Sequence, residues 1–155
     1  KNIVIYLERR FVMSQKYEII KKKIYLEKNT ETVCVNEIPK NIFQTFDKEE
    51  HLLPDELKKV IQQWKKKYPT YNYQYYDDKK CIDFLEKHYS KRIVDAFNTL
   101  LPGAYKADLW RLCILYHFGG FYFDIKFINT NHIHLDQIIQ IAKKTQNMFS
   151  CSHTC

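Results

Sequence analysis

The chain has 155 residues, of which 45% are hydrophobic and 28% are charged, a composition that excludes a disordered chain and indicates one folded domain. Its formal net charge of +7 is spread over scattered lysines, which is more typical of a solvated surface than of a nucleic-acid-binding arm. No apolar stretch approaches the ~20 residues of a transmembrane helix. Because the sequence begins at Lys1 and not at Met, we expect a piece of a longer or processed protein.

The first 37 residues differ from the rest and carry no chemical motif. A short strand over residues 3–7 and a helix over residues 17–26 are predicted there, and the role of this segment is unclear. We expect residues 38–155 to form the functional domain.

The first half of that domain alternates strands with helices. Residues 38–45 predict a strand, with Pro39 near its start, where a missing backbone donor is tolerated. Pro54 opens a helix, whose apolar residues recur at helical spacing: Leu57, Val60, Ile61 and Trp64. The aromatic run 71–76 predicts a second strand, closed by Asp77 and Asp78.

The second half continues the same alternation. Helices are predicted around residues 82–88, 93–100 and 104–118, a strand over residues 121–127 and a closing helix over residues 135–143. The pair Gly119-Gly120 ends the longest helix, since glycine takes the left-handed conformation without a steric penalty. Alternating strands and helices favour an α/β fold with a mainly parallel sheet.

Five cysteines occur at irregular spacing, namely Cys34, Cys81, Cys113, Cys151 and Cys155. Cys151 and Cys155 flank His153, but a zinc site needs four ligands and no second pair has matching spacing. We therefore expect reduced, mostly buried thiols.

The helix over residues 104–118 is apolar almost all round from Leu109 onward, yet it carries Asp108 and Arg111. These two residues are three apart and project from one face. Buried charges are costly unless they are paired, so the spacing is equally compatible with a structural ion pair and with a functional site.

The strand after this helix favours the functional interpretation. Gly119 and Gly120 are two of only three glycines in the chain and permit a close backbone approach. Asp124 follows three aromatic residues, and a carboxylate at the carboxyl end of a central strand lies where α/β sheets bind ligands. There it could hold a divalent cation that in turn binds phosphate oxygens.

The run from Ala107 to Asp124, ADLWRLCILYHFGGFYFD, resembles the sugar-binding region of DXD-containing glycosyltransferases. That family includes the yeast Och1-like mannosyltransferases (glycosyltransferase family 32-like) and, more distantly, the clostridial glucosylating toxins. The opening IPKNIFQT resembles the first strand of the family, and the likeness spans residues 38 to 127.

The resemblance implies a GT-A-type, Rossmann-like domain that binds a nucleotide-diphospho-sugar. Asp108 and Arg111 match the residues that orient the donor sugar, and Asp124 matches the first motif aspartate, which faces the ribose and the metal-bound diphosphate. Further donor-binding positions are expected at Phe43, Gln44, Gly119, Gly120, Tyr122 and Lys126. Because relatives carry more site residues downstream, we expect the domain to be truncated at its carboxyl end.

Lys126 departs from the family pattern, because it replaces the second motif aspartate, which is usually the direct metal ligand. The resemblance implies Mn²⁺ or Mg²⁺ at Asp124, and Lys126 argues against that cation. Two interpretations stay open: the lysine ammonium replaces the metal against the diphosphate, or the site has lost catalysis.

The predicted function is transfer of a mannose-like hexose, with retention, from a nucleotide-diphospho-sugar to a hydroxyl acceptor on a glycan or lipid. One alternative is an inactive nucleotide-sugar-binding module of the same fold. A basic nucleic-acid-binding protein is the weaker alternative, because the aromatic residues fall in strands and in a buried helix. By resemblance, such enzymes work at secretory-pathway membranes, or in the cytoplasm if bacterial or viral.

Overall fold

A computed structural model of the chain describes residues 4–8, 38–128, 134–145 and 150–152. The strands are β1 (Val4–Glu8), β2 (Asn41–Thr45), β3 (Asn72–Tyr76), β4 (Gly120–Tyr122) and β5 (Ser150–Ser152). The helices are α1 (Asp55–Lys67), α2 (Asp78–His88), α3 (Lys91–Thr99), α4 (Gly103–Phe118) and α5 (Leu135–Thr145), and a 3₁₀ turn covers Glu50–Leu52. The helix predicted over residues 17–26 lies outside the described residues.

The described strands form one sheet in the order β3-β2-β4-β1-β5, and every pairing between them is parallel. The predicted α/β fold with a mainly parallel sheet is therefore confirmed. β4 is the central strand and places Phe121 beside Ile42 and Tyr122 beside Phe43 on β2. None of the helices in the described segments is long and apolar enough to span a membrane.

Side chains alternate between the two faces of β2 and β4, as the period of a strand requires. Phe43 and Tyr122 pack on one face with α2, α3 and α4, whereas Ile42 and Phe121 pack on the other with α1 and α5. The sheet is thus the middle of three layers. Cys81 and Cys113 are buried free thiols, as expected, and burial raises the pKa of each to about 12.

Two predicted strand boundaries were wrong. β2 begins at Asn41, three residues later than predicted, and β4 ends at Tyr122 instead of continuing to residue 127. A turn follows β4, because the Phe127 amide donates to the Asp124 carbonyl oxygen over 2.8 Å. The aromatic residues after Tyr122 favour a strand locally, but this turn diverts them into the packing beneath α1.

The pair Gly119-Gly120 joins α4 to β4 in backbone conformations that disfavour any other residue. Gly119 has φ +67° and Gly120 has φ +109°. A Cβ atom at Gly120 would lie 2.6 Å from the carbonyl oxygen of Asn41. The side-chain Nδ2 of Asn41 also donates to the carbonyls of Phe118 and Gly119, at 3.3 and 3.4 Å. The turn therefore fixes how α4 enters the central strand.

We expect Gly120→Ala to lower the free energy of unfolding by at least about 2 kcal/mol, since it adds backbone strain and a clash with β2. Gly103→Ala is the matched control, because a Cβ atom there meets nothing within 4 Å. Urea denaturation of both variants tests this. Equal stabilities would show that the turn tolerates a side chain.

Asp77 caps the amino end of α2. Its buried carboxylate accepts the Lys80 amide at 2.9 Å, and the Lys80 ammonium lies 3.2 Å away. Burial acts to raise the pKa of Asp77, but the contacts with Lys80 outweigh it and hold the pKa below its ordinary value. Ionised Asp77 therefore stabilises the fold, and this contribution disappears as the pH falls through that lowered pKa.

Asp77→Ala should cost about 1 kcal/mol of stability at pH 7 through loss of the cap. Asp77→Asn keeps a capping oxygen and removes only the charge. Its deficit relative to the wild type should therefore shrink as the pH falls from 7 through the lowered pKa of Asp77, where the wild-type carboxyl group also gains a proton. Denaturant titrations over a series of acidic pH values measure this; a deficit that grew on acidification would contradict the assignment.

Candidate functional site

Asp108, Arg111 and Asp124 meet at the carboxyl end of the central strand. Asp124 lies two residues beyond the end of β4, and Gln44 lies near the end of the neighbouring strand β2. α4 leads into β4 and runs back across the sheet, so its middle turns, with Asp108 and Arg111, reach the same edge. Parallel α/β sheets bind ligands at this edge.

The Arg111 guanidinium is the buried centre of this cluster, with only 2% of its side chain exposed. It forms an ion pair with Asp108, one turn earlier in α4, and its Nη1 lies 3.6 Å from Oδ1 of Asp124. Its Cζ lies 5.4 Å from the centre of the Tyr122 ring. Two carboxylates and one aromatic face thus replace the water that the cation loses on burial.

Asp124 is held at both of its ends. Its carboxylate is hydrogen-bonded to the hydroxyl of fully buried Tyr122, and burial together with the Asp124 charge raises the pKa of Tyr122 well above its usual value. Its carbonyl oxygen accepts the side-chain amide of Gln44 at 3.1 Å and the Phe127 amide at 2.8 Å. The carboxylate nevertheless stays 47% exposed, so a ligand can reach it.

Three other predicted residues are not brought to this cluster. The Phe43 side chain is fully buried in the core, stacked on Phe118 and edge-on to Trp110. Gly119 and Gly120 lie at the amino end of β4, away from Asp124, and pack against Pro39 and Asn41. A donor-binding role for these three residues therefore rests on the resemblance alone.

Lys126 is exposed and lies in the turn formed by residues 124–127. It stands two residues beyond Asp124, where a second motif carboxylate would stand. Among the residues whose side chains are described, no group of three or more His, Cys, Asp or Glu could hold a metal ion. Asp124 is one carboxylate already beside a guanidinium, so the protein donors do not fit a cation held by two motif aspartates.

The charges of the cluster are unbalanced without a further cation. Asp108 and Asp124 carry two negative charges around the single positive charge of Arg111. A diphosphate is itself negative, so binding it here requires an additional positive charge. Within the turn of residues 124–127, Lys126 carries a positive charge.

Sequence reasoning did not find Tyr73. This residue of β3 donates its hydroxyl hydrogen to Oε1 of Gln44 over 2.7 Å, and Gln44 in turn binds the Asp124 carbonyl. No motif marks Tyr73, which is one of several tyrosines in its strand. Only the pairing of β3 with β2 reveals the contact.

Comparison with known proteins finds a family that matches the region containing this site, and two relatives that match part of the chain. The family described as "Glycosyltransferase sugar-binding region containing DXD motif" matches residues 54–145, more than half of the chain. The chain is 35% identical over 91 residues to the "Initiation-specific alpha-1,6-mannosyltransferase" of Candida albicans. These aligned residues are 56% of this chain and 24% of that protein. No solved structure matches the chain significantly.

A second relative is the "Mannosyl phosphorylinositol ceramide synthase SUR1" of Saccharomyces cerevisiae, 32% identical over 88 residues, or 57% of this chain and 22% of that protein. The match thus spans about a quarter of the length of these relatives. The matched segment contains Asp108, Arg111, Asp124 and the turn that carries Lys126. The chain therefore belongs to the family of glycosyltransferase sugar-binding regions that contain a DXD motif, and its own motif reads Asp124-Ile125-Lys126.

Proposed function

We propose that this chain is the donor-binding part of a hexosyltransferase, which moves a mannose-like sugar from a nucleotide-diphospho-sugar to a hydroxyl group of a glycan or lipid, with retention of configuration. The observation that carries the proposal is the buried Arg111 guanidinium between Asp108 and Asp124 at the carboxyl edge of a parallel sheet. The two named relatives, both described as mannose-transferring proteins, support the choice of sugar.

Each member of the cluster has a distinct task in this proposal. Asp108, whose side chain is 19% exposed, presents carboxylate oxygens that can accept hydrogen bonds from sugar hydroxyls. Arg111 is too deeply buried to be the main contact and instead orients the two carboxylates. Asp124 faces the ribose and diphosphate side of the donor, where its exposed carboxylate can be reached.

The reaction needs stabilisation of the negative charge that grows on the departing diphosphate. We assign this task to the ammonium group of Lys126, which also offsets the excess negative charge of the cluster. A divalent cation, when bound, supplies the same neutralisation in the family generally. In this proposal, the acceptor is positioned by residues outside the matched region, which covers 24% and 22% of the two relatives.

The second candidate function is an inactive donor-binding module of the same fold, and the loss of the second motif aspartate at Lys126 favours it. The two candidates differ in turnover and not in donor binding. Release of free hexose from a bound donor would exclude the inactive module. Binding by a folded protein, with neither hydrolysis nor transfer to any acceptor supplied, would favour it.

The aromatic residues in and just after β2 and β4 give no support for nucleic-acid binding. Stacking on bases requires exposed rings, whereas Phe43, Phe121, Tyr122 and Phe123 are all buried.

We expect the wild type to bind one of GDP-mannose, UDP-glucose and UDP-N-acetylglucosamine, and Asp124→Asn to weaken that binding at least about tenfold, or ~1.4 kcal/mol. The substitution keeps the shape of the side chain, but it replaces one of the oxygens that can accept hydrogen bonds from the ribose hydroxyls by an NH₂ group and removes a charge partner of Arg111. Isothermal titration measures both affinities. Asp95→Asn is the control, because this exposed carboxylate on α3 pairs with Lys91 and not with the site. Absence of binding by a folded wild type would reject the proposal.

Donor binding should persist when Mn²⁺ and Mg²⁺ are removed with a chelator, and Lys126→Ala should weaken it about tenfold or more. Lys126→Asp restores the second acidic position and should make binding depend on Mn²⁺. Titrations with and without Mn²⁺ compare these variants. Lys66→Ala, an exposed lysine in the last turn of α1, controls for the loss of one positive charge. Metal-dependent binding by the wild type would show that Lys126 does not replace the cation.

A further inference from the structure

Two side chains outside the ion-pair cluster connect β3, β2 and the backbone of the turn after β4. The Tyr73 hydroxyl lies 2.7 Å from Gln44 Oε1, and Gln44 Nε2 lies 3.1 Å from the Asp124 carbonyl oxygen. Gln44 is fully buried and Tyr73 is half-buried. Tyr73 packs with the apolar side chains of Leu57 and Ile61 on α1, and the Lys65 ammonium lies 5.2 Å from the centre of its ring.

The direction of this chain of hydrogen bonds is fixed by chemistry. A carbonyl oxygen only accepts, so Gln44 must turn its NH₂ group toward Asp124. Its oxygen then faces Tyr73, and the tyrosine must donate. Burial, the larger cause, and nearby Glu50 raise the pKa of Tyr73, so its hydroxyl keeps the proton it donates. Loss of the Tyr73 hydroxyl would leave Gln44 Oε1 buried without that partner.

The turn formed by residues 124–127 is held from both faces of the sheet. On the α4 face, Tyr122 and Arg111 hold the Asp124 carboxylate. On the α1 face, Gln44 holds the backbone of the same residue. The carboxylate can keep its direction only if the backbone beneath it is fixed as well.

We propose that Tyr73 is a positioning residue for the donor site: through Gln44 it fixes the backbone of Asp124 and so the direction in which that carboxylate meets the donor. Tyr73 itself does not touch the donor. This inference rests on the proposed function for its effect on binding, and it makes a separate prediction about the turn itself. The same relay gives Gln44 a positioning role in addition to the pocket-lining role predicted from sequence.

Tyr73→Phe should weaken donor binding about three- to tenfold, measured with the nucleotide sugar that the wild type binds. Tyr75→Phe is the matched control, because Tyr75 lies on the same strand, is also buried, and donates its hydroxyl to the Lys48 carbonyl away from the site. Both variants lose one buried hydroxyl and should show similar thermal midpoints. Only Tyr73→Phe should change donor affinity. Equal donor affinities for the two variants would overturn the inference.

Two further measurements separate positioning from a general packing role. The Phe127 amide, which donates to the Asp124 carbonyl, should exchange with solvent at least about threefold faster in Tyr73→Phe than in Tyr75→Phe. The double variant Tyr73→Phe/Gln44→Leu should bind the donor less than about twofold more weakly than Gln44→Leu alone. The reason is that both substitutions break the same series of hydrogen bonds. Independent, additive effects would contradict the relay. If the wild type binds no nucleotide sugar, the proposed function fails, and amide exchange alone decides whether Tyr73 holds the turn.

Discussion

The ionic contacts of the buried Arg111 guanidinium constrain the rest of the site. A cation taken almost fully out of water is tolerated only where carboxylates and hydrogen bonds replace that water. Asp108 lies three residues before Arg111 in the same helix, so the contact between them does not depend on how α4 packs. Asp124 follows the carboxyl end of β4. It reaches the guanidinium only because the chain reverses its direction tightly at Gly119-Gly120. The ion pair between Arg111 and Asp124 therefore depends on the conformation of the glycine turn.

The two faces of the sheet perform different parts of the same task. The α4 face carries the charges, and the Tyr122 ring lies beneath Arg111 while its hydroxyl binds Asp124. The α1 face is mostly apolar near the site. On it, Gln44 holds the Asp124 carbonyl, the Tyr73 hydroxyl holds Gln44, and the Trp64 indole donates to the Phe127 carbonyl. Asp124 lies where the two faces meet, just after the strand ends. A residue there can be held rigidly through its backbone while its carboxylate remains half-exposed for a ligand.

Periodic and local signals predicted much of this fold from sequence. The apolar spacing of α1, the glycine pair after α4 and the alternation of strands with helices were enough to predict a parallel α/β sheet. The end of β4 was not predicted, because Phe123 and Phe127 have strand-like chemistry and only a backbone hydrogen bond reveals the turn. Tyr73 was missed for a related reason: its partner lies on a neighbouring strand, and strand pairing leaves no mark in a single sequence.

The departure at Lys126 is best understood through the charge of the site as a whole. A second aspartate two residues after Asp124 would add a third negative charge near a single guanidinium, and this favours a divalent cation. A lysine in place of that aspartate changes the local charge by two units, so that Asp108, Arg111, Asp124 and Lys126 together carry no net charge. In the proposed function, the positive charge that a divalent cation would supply is therefore covalently attached at Lys126. A site of this kind would lack the strong polarisation of a divalent ion but keep a means to bind a negative donor, so donor binding and turnover could be lost separately.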